Sequence, residues 1–299
     1  MTEPWQDGIK KAGVAPGLGM AMFFAAVFFL PQPCWLLCMA LVVGVAAWEW
    51  AALAGLRNMP GRLVFGLVFL LVCLGLAFYF PEAMQSDPAG ASRETLLALH
   101  NARWGLGRVF YIPAAIFWIL IAPIWIGKQK DARRERTGRE TGFLLVLGCF
   151  LLLCLWLAFA QLRGYGSSSL VFVVGIAWIA EISACCARRR FGNAIHPGKT
   201  RAGLYGATLG ASVFFSFLIS FRGGFTFSAL LFFLVLFFPF AALGMRGDAL
   251  AAMLKAQGGV KKSGNILPGY GGILDGMDSL LPVLPCVALI VTFSAGYPH

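Results

Sequence analysis

The stretch GFTFSALLFFLVLFFPFAALG, residues 224–244, runs for 21 residues without one charged side chain. A helix of about 20 mostly apolar residues is long enough to cross the hydrocarbon core of a bilayer. The stretch therefore predicts a membrane-spanning helix, and the same criterion can be applied to the rest of the chain.

Eight further apolar runs separated by polar breaks satisfy this criterion. They lie at 14–30, 34–56, 62–80, 108–127, 142–162, 168–187, 203–221 and 279–296. The composition agrees, because 59% of the 299 residues are apolar and only 12% are charged, whereas an ordinary soluble domain carries about 25% charged residues. We therefore predict an all-α, polytopic integral membrane protein with about nine transmembrane helices. Residues 1–140 would form an N-terminal region of about four spans with a basic loop, and residues 141–299 a C-terminal, catalytic-type region of about five.

The distribution of basic residues predicts the orientation of these spans. If the N-terminus is cytoplasmic, 19 of the 24 lysines and arginines fall in cytoplasmic segments. The remaining five, Arg93, Arg103, Arg108, Arg163 and Arg222, fall on the other side. Cytoplasmic loops of membrane proteins carry an excess of Lys and Arg, so this split favours a cytoplasmic N-terminus. A bacterial inner membrane is the expected location. The net charge of +11 is then explained by this rule and by anionic headgroups or substrates, without nucleic acid.

Three aspartates stand at the predicted cytoplasmic ends of the last two spans. Asp248 follows the run 224–244, and Asp275 and Asp278 precede the run 279–296. If the last helix begins near Gly276, the spacing of three residues places the last two on one face near its N-terminus, where anions are favoured. Three converging carboxylates without His or Cys suit Mg²⁺. The alternative is that Asp275 caps the helix and Asp278 lies in its first turn.

A second cytoplasmic segment, 181–203, is rich in positive charge. Its basic residues are Arg188, Arg189, Arg190, Lys199 and Arg201. Such groups near a helix start bind phosphates well, although plain positive-inside charge also explains them. Near the aspartates, the glycines of LPGYGG (267–272) allow the backbone to approach a ligand closely. A carboxylate cluster and a cationic segment on one side of the membrane suit a metal-assisted reaction of a nucleotide with a lipid phosphate.

These segments carry a resemblance to a known family. The ungapped sequence GDALAAMLKAQGGVKKSGNILPGYGGILDGMDS (247–279) is similar to the C-terminal signature of the phosphatidate cytidylyltransferases, also called CDP-diacylglycerol synthases. Upstream, AEISACCARRRFGNAIHPGKTRAG (180–203) resembles a second family element, and AAWEWAALAGL (46–56) matches the family's second span. The resemblance therefore covers most of the chain, and the chain is identified as a divergent member.

The resemblance implies a membrane enzyme, usually dimeric, that uses Mg²⁺, with room for a second cation, to join phosphatidate or a related lipid phosphate to CTP. The products would be CDP-diacylglycerol and pyrophosphate. Asp248, Asp275 and Lys199 would be catalytic. The implied metal ligands are Asp248, Asp275, Asp278 and Glu181, which stands where the family has Asp. The implied phosphate contacts are Arg189, Arg190, Lys199, Lys255, Lys261, Gly271 and Gly272.

Several motif positions depart from the family pattern and leave an alternative open. Lys262 reverses a charge at a family Asp, Tyr270 replaces His, Gly276 replaces Arg, and Arg201–Ala202 replaces Trp-Glu. Losses of groups that support a metal site commonly cost about 10–100-fold each. The alternative is therefore a catalytically impaired paralogue with a lipid-binding or regulatory role. A further alternative, a transporter, is permitted by nine spans, although inverted sequence repeats are not apparent and the charged groups gather at one face.

Overall fold

A computed structural model describes residues 29–79, 109–128, 138–164, 167–191, 201–224, 226–264, 266 and 271–295. Most of the first predicted span (14–30) lies outside these residues, as do most of the basic segment 128–140 and Lys199. The regular secondary structure of the described residues is helical. The eight helices are α1 (Gln32–Leu53), α2 (Met59–Tyr79), α3 (Val109–Gly127), α4 (Gly138–Gly164), α5 (Ser167–Phe191), α6 (Arg201–Gly223), α7 (Phe227–Gly258) and α8 (Leu280–Ala295).

Seven of these helices, α1 to α7, are long and apolar enough to cross a membrane. Each coincides with a run predicted from the sequence. The last run corresponds to α8, whose 16 residues span roughly 24 Å at 1.5 Å per residue. The protein is thus a polytopic, all-α integral membrane protein. The count of nine spans, the cytoplasmic N-terminus and the division near residue 140 stay predictions.

Helix α4 forms the centre of the bundle and packs against α1, α8 and α5. The indole of Trp50 on α1 is buried and donates a hydrogen bond of 2.8 Å to the carbonyl of Leu144 on α4. This close crossing needs Gly148, because a Cβ there would collide with the Trp50 indole. Helix α1 is therefore held at a fixed depth against the central helix. This position matters because α1 carries Glu49, a carboxylate that contacts the chain beside the candidate site described below.

A short π-helix in α3 links this helix to α7. Residues Phe117–Ile121 form the π-helical segment, an irregularity that leaves backbone carbonyls without their usual partners within the helix. The guanidinium of Arg246 on α7 donates to the carbonyl of Trp118 over 3.1 Å. This contact fixes α7 one residue before its Gly247–Asp248 pair.

Small residues allow α5 and α6 to pack closely. A Cβ at Gly206 on α6 would collide with Ala187 on α5, and a Cβ at Gly210 would collide with the side chain of Ser183. In membranes, glycine at helix crossings permits such close backbone approach. The contact places the end of α5 beside the start of α6 and beside α7, which also packs against α6.

Two local predictions about the aspartates need correction. Helix α7 does not end near residue 244, because it continues without a break to Gly258, so Asp248 lies within it. The final helix does not begin near Gly276. A 3₁₀ turn, Leu274–Gly276, comes first, and α8 begins at Leu280. Asp275 and Asp278 therefore do not share a face of one α-helix.

Candidate active site

The candidate site forms where α7 passes the turn that precedes α8. A Cβ at Gly247 would collide with the carbonyl oxygen of Asp278 and lie 2.9 Å from Cδ of Pro282. Only glycine permits this approach of the two backbones. The contact brings Asp248, the residue after Gly247, close to Asp278, although the two are 30 positions apart in the chain.

Three carboxylates gather at this crossing, namely Glu181, Asp248 and Asp278, which we call the carboxylate cluster. Asp278 is 9% exposed. Burial raises the pKa of Asp278 well above its usual value, and the negative charges of Asp248 and Glu181 raise it further. Glu181 reaches the cluster from α5 and hydrogen-bonds the Ser279 side chain. Like charges brought together in a buried place are costly unless something compensates them.

Two cations partly compensate the carboxylate cluster. Arg188 lies two helical turns beyond Glu181 on α5 and attracts both Glu181 and Asp248. Lys255 lies two turns beyond Asp248 on α7, and its charge opposes the rise in the pKa of Asp278. Both pairs share the i, i+7 spacing that places two residues on one helix face. Each of the two helices, α5 and α7, therefore contributes one negative side chain and, two turns further on, one positive side chain to the site.

One oxygen of the cluster has no hydrogen-bond partner among the described residues. Oδ1 of Asp248 is buried and unpaired, and such an atom suggests a place for a ligand. No set of three His, Cys, Asp or Glu side chains within the described ranges is arranged to hold a metal ion by itself. An unpaired carboxylate oxygen without a complete set of protein ligands fits Mg²⁺. This ion usually keeps several waters and binds one or two carboxylates together with substrate phosphates.

Asp275 has a different environment from the other aspartates. Its carboxylate lies 2.6 Å from Nζ of Lys255 and accepts backbone N–H bonds from Ser263, at 3.1 Å, and Gly272, at 3.2 Å. Burial alone would raise the pKa of Asp275, but the Lys255 ammonium and the two N–H groups outweigh it and hold this pKa below its usual value. Asp275 is thus ionised and orients Lys255 towards the cluster.

The Asp275–Lys255 pair predicts a pH-dependent contribution to stability. Asp275→Asn is expected to lower the free energy of unfolding by about 1–3 kcal/mol near neutral pH, as for hydrogen bonds to charged groups. Because the folded-state pKa is lower than the unfolded one, of about 4, the contribution is complete above the unfolded pKa. It is lost as the pH falls through the folded pKa. The gap in thermal unfolding temperature between wild type and variant should therefore stay constant down to about pH 5 and shrink below about pH 4. A gap that does not change with pH would contradict this role.

An apolar cavity of about 280 Å³ opens beside the cluster, between α5, α6, α7 and α8. Its polar end is formed by Glu181, Arg188, Asp248 and Ser279, and the rest of its lining is apolar, including Phe172, Phe237 and Ile290. A pocket with one charged end and a long apolar wall suits an amphipathic ligand with an anionic head.

The other predicted site residues lie as follows. Arg189 and Arg190 are exposed at the end of α5, and Lys261 is exposed after α7. Gly271 and Gly272 are buried, and the N–H of Gly272 is donated to Asp275. Gly271 has φ of +128°, a conformation that favours glycine. The assignment of these residues, and of Lys199, to phosphate stays a prediction.

Three residues at the site have partners that the sequence analysis did not identify. Arg188 belongs to the basic segment for which phosphate binding and positive-inside charge both stayed open, yet its i, i+7 spacing from Glu181 was a usable signal. Ser279 gave no signal, because its partner Glu181 lies on another helix. Glu49 on α1 is 1% exposed and accepts hydrogen bonds from Ser263, Ile273 and Leu274. Its position inside an apolar run is unusual for a carboxylate but does not identify these partners.

Comparison with known proteins identifies the family to which the chain is similar. The sequence pattern of the cytidylyltransferase family matches residues 11–294. A phosphatidate cytidylyltransferase of Pseudomonas aeruginosa is 29% identical over 263 residues, which cover 86% of each chain. The protein of the same name from Haemophilus influenzae is 26% identical over 279 residues, 89% of this chain and 92% of its own.

Together with the apolar helices, these matches show an integral membrane nucleotidyltransferase. More particularly, the chain belongs to the cytidylyltransferase family, whose pattern covers almost its whole length. This membership in a family of enzymes leaves the transporter alternative without support.

Proposed function

We propose that this protein transfers CMP from CTP to phosphatidate or a related lipid phosphate, giving CDP-diacylglycerol and pyrophosphate for phospholipid synthesis. The observation that carries the proposal is the cavity whose apolar wall ends in Arg188, Ser279 and two members of the carboxylate cluster, Glu181 and Asp248. A lipid phosphate fits this shape, because its acyl chains need an apolar wall and its headgroup needs cations. The names of the relatives support the same substrates.

The two cations would bind and orient the phosphates. Arg188, at the polar end of the cavity, would hold the lipid phosphate, since guanidinium pairs well with phosphate oxygens. Lys255, oriented by Asp275, would contact the triphosphate of CTP. A phosphatidate oxygen then attacks the α-phosphorus of CTP in line, a P–O bond forms there, and the bond to the leaving pyrophosphate breaks. Positioning and charge neutralisation would carry the rate enhancement.

Asp248 and Asp278 are the residues proposed to hold Mg²⁺, with Glu181 beside them, and Asp275 acts through Lys255. The unpaired Oδ1 of Asp248 and the position of buried Asp278 beside the negative charges of Asp248 and Glu181 support this choice. When bound, Mg²⁺ would neutralise the charge on the phosphates of CTP. The proposed site lies at the cytoplasmic face of a bacterial inner membrane, where CTP is available, and a homodimer is the expected assembly.

The catalytically impaired paralogue remains the second candidate, because of charge changes such as Lys262 at a family Asp position. One experiment separates the two. The purified protein in detergent is given radiolabelled CTP, Mg²⁺ and phosphatidate, and labelled CDP-lipid is measured. The proposed enzyme forms product that depends on both Mg²⁺ and lipid. Binding of CTP without product, for phosphatidate and for other lipid phosphates alike, would favour the paralogue.

A further inference from the structure

Glu49 is a buried carboxylate that the proposed reaction does not use. It lies near the end of α1 with 1% of its surface exposed. Oε2 accepts from the Leu274 N–H at 2.8 Å and from the Ser263 hydroxyl at 3.2 Å, and Oε1 accepts from the Ile273 N–H at 3.1 Å. A carboxylate buried this deeply is costly unless it is well hydrogen-bonded. All three donors belong to the segment between α7 and α8, more than 200 positions away in the chain.

The same segment supplies the hydrogen bonds of Asp275. Ser263 donates its hydroxyl to Glu49 and its N–H to Asp275. The three consecutive N–H groups of Gly272, Ile273 and Leu274 are likewise divided, the first to Asp275 and the other two to Glu49. The two carboxylates therefore share the donors of Ser263 and of Gly272–Leu274, and movement of these residues away from Glu49 would also disturb Asp275.

The backbone at Gly264 and at Gly272 lies in close contact with the Glu49 carboxylate. A Cβ at Gly264 would collide with Oε1 of Glu49, and a Cβ at Gly272 would collide with both of its carboxylate oxygens. Only glycine at both positions lets the backbone approach the carboxylate this closely. Gly264 and Gly272 thus fit against Glu49, and Ser263, Ile273 and Leu274 donate hydrogen bonds to it.

We propose that Glu49 is a positioning residue, which acts on the reaction through the Asp275–Lys255 pair. Fixed by α1, it holds Ser263, Ile273 and Leu274 so that Asp275, the next residue, lies 2.6 Å from Lys255. The inference rests on the proposed function, in which Lys255 contacts the phosphates of CTP. It adds that α1, in the N-terminal region, sets the geometry of the nucleotide-binding group.

Glu49→Gln tests this role at nearly constant shape. The amide presents an NH₂ group where the carboxylate accepts hydrogen bonds, so at least one donor of the segment loses its partner. We expect kcat/KM for CTP, per mole of folded protein, to fall about 10–100-fold, as when a group supporting a metal site is lost. Glu49→Asp keeps the negative charge on a side chain that is one methylene shorter. Its kcat/KM for CTP should lie between those of the wild type and of Glu49→Gln. Glu49→Asp also serves if the amide variant does not fold.

A double-mutant cycle distinguishes positioning from plain destabilisation. Lys255→Arg keeps a cation but changes its geometry. If Glu49 acts through Lys255, Glu49→Gln weakens equilibrium CTP binding and kcat/KM markedly in the wild type and much less beside Lys255→Arg. The binding measurement remains readable if Lys255→Arg has no turnover. If Glu49→Gln weakens CTP binding and kcat/KM by the same factor in the wild type and beside Lys255→Arg, the proposal is wrong. It is also wrong if the Glu49→Gln variant keeps more than half of the wild-type kcat/KM.

Thr292→Val is the matched control. Thr292 is buried on α8 and donates its hydroxyl to the Ala288 carbonyl at 2.6 Å, at the end of the helix away from Asp278. Its loss removes a buried hydrogen bond without touching the site, so kcat/KM should stay near wild type whatever the change in thermal stability. Failure of the proposed function would show separately, as absence of CDP-lipid product in the wild type. Failure of the Glu49 proposal would show only among the variants of an active protein.

Discussion

Asp248→Asn is expected to lower kcat about 100- to 1,000-fold while leaving the thermal unfolding temperature unchanged or higher. The loss follows because Asp248 would hold the Mg²⁺ that neutralises the phosphates of CTP, and removal of one group that stabilises charge in the transition state typically costs this much. The stability result has a separate cause. Asp248 lies among Glu181 and Asp278, whose negative charges repel it, and its Oδ1 has no hydrogen-bond partner in the described residues. Asparagine removes the repulsion at nearly the same volume, a stability–function trade-off expected at active sites.

The measurement is CDP-lipid formation and thermal unfolding on the same detergent preparation. Glu140→Gln is the control for loss of one negative charge, because Glu140 is exposed in the first turn of α4. It should leave CDP-lipid formation near that of the wild type. A variant at Asp248 that unfolds at lower temperature and keeps most of its activity would mean that the carboxylate cluster is structural.

Gly247→Ala is expected to lower activity about 100-fold through geometry alone. The added methyl group would meet the Asp278 carbonyl and Pro282, so α7 and the start of α8 must separate. A displacement of about 1 Å between reacting groups can cost about 100-fold in rate. Overpacking of this kind typically destabilises by about 1–3 kcal/mol, which the thermal unfolding temperature would record.

Gly258→Ala provides the comparison within the same helix. Gly258 lies in the last turn of α7, where a Cβ would have only an ordinary contact of 3.6 Å with Val260. Alanine there should leave activity near that of the wild type and favour the helix slightly. Equal activity for both variants would show that the close approach at Gly247 does not position the aspartates.

The membrane architecture and most of the chemical groups could be predicted from the amino-acid sequence alone. An apolar run of about 20 residues has few alternatives to a membrane helix, because its backbone must satisfy its hydrogen bonds within itself. Such a signal is local, so the runs that match α1 to α7 could be read without the fold. The motif 247–279 likewise identified Asp248, Asp278 and Lys255 as chemically important.

The tertiary structure decided which of these groups act together. Asp275 and Asp278 are three residues apart, yet the 3₁₀ turn before α8 directs one to Lys255 and the other to Asp248 and Glu181. Local spacing predicts neighbours only within one regular helix, and here the helix begins later. The partners of Glu49 are more than 200 positions away, and such contacts depend on helix crossings that no local pattern contains. Close approach at glycines, such as Gly247 against Asp278, sets these crossings.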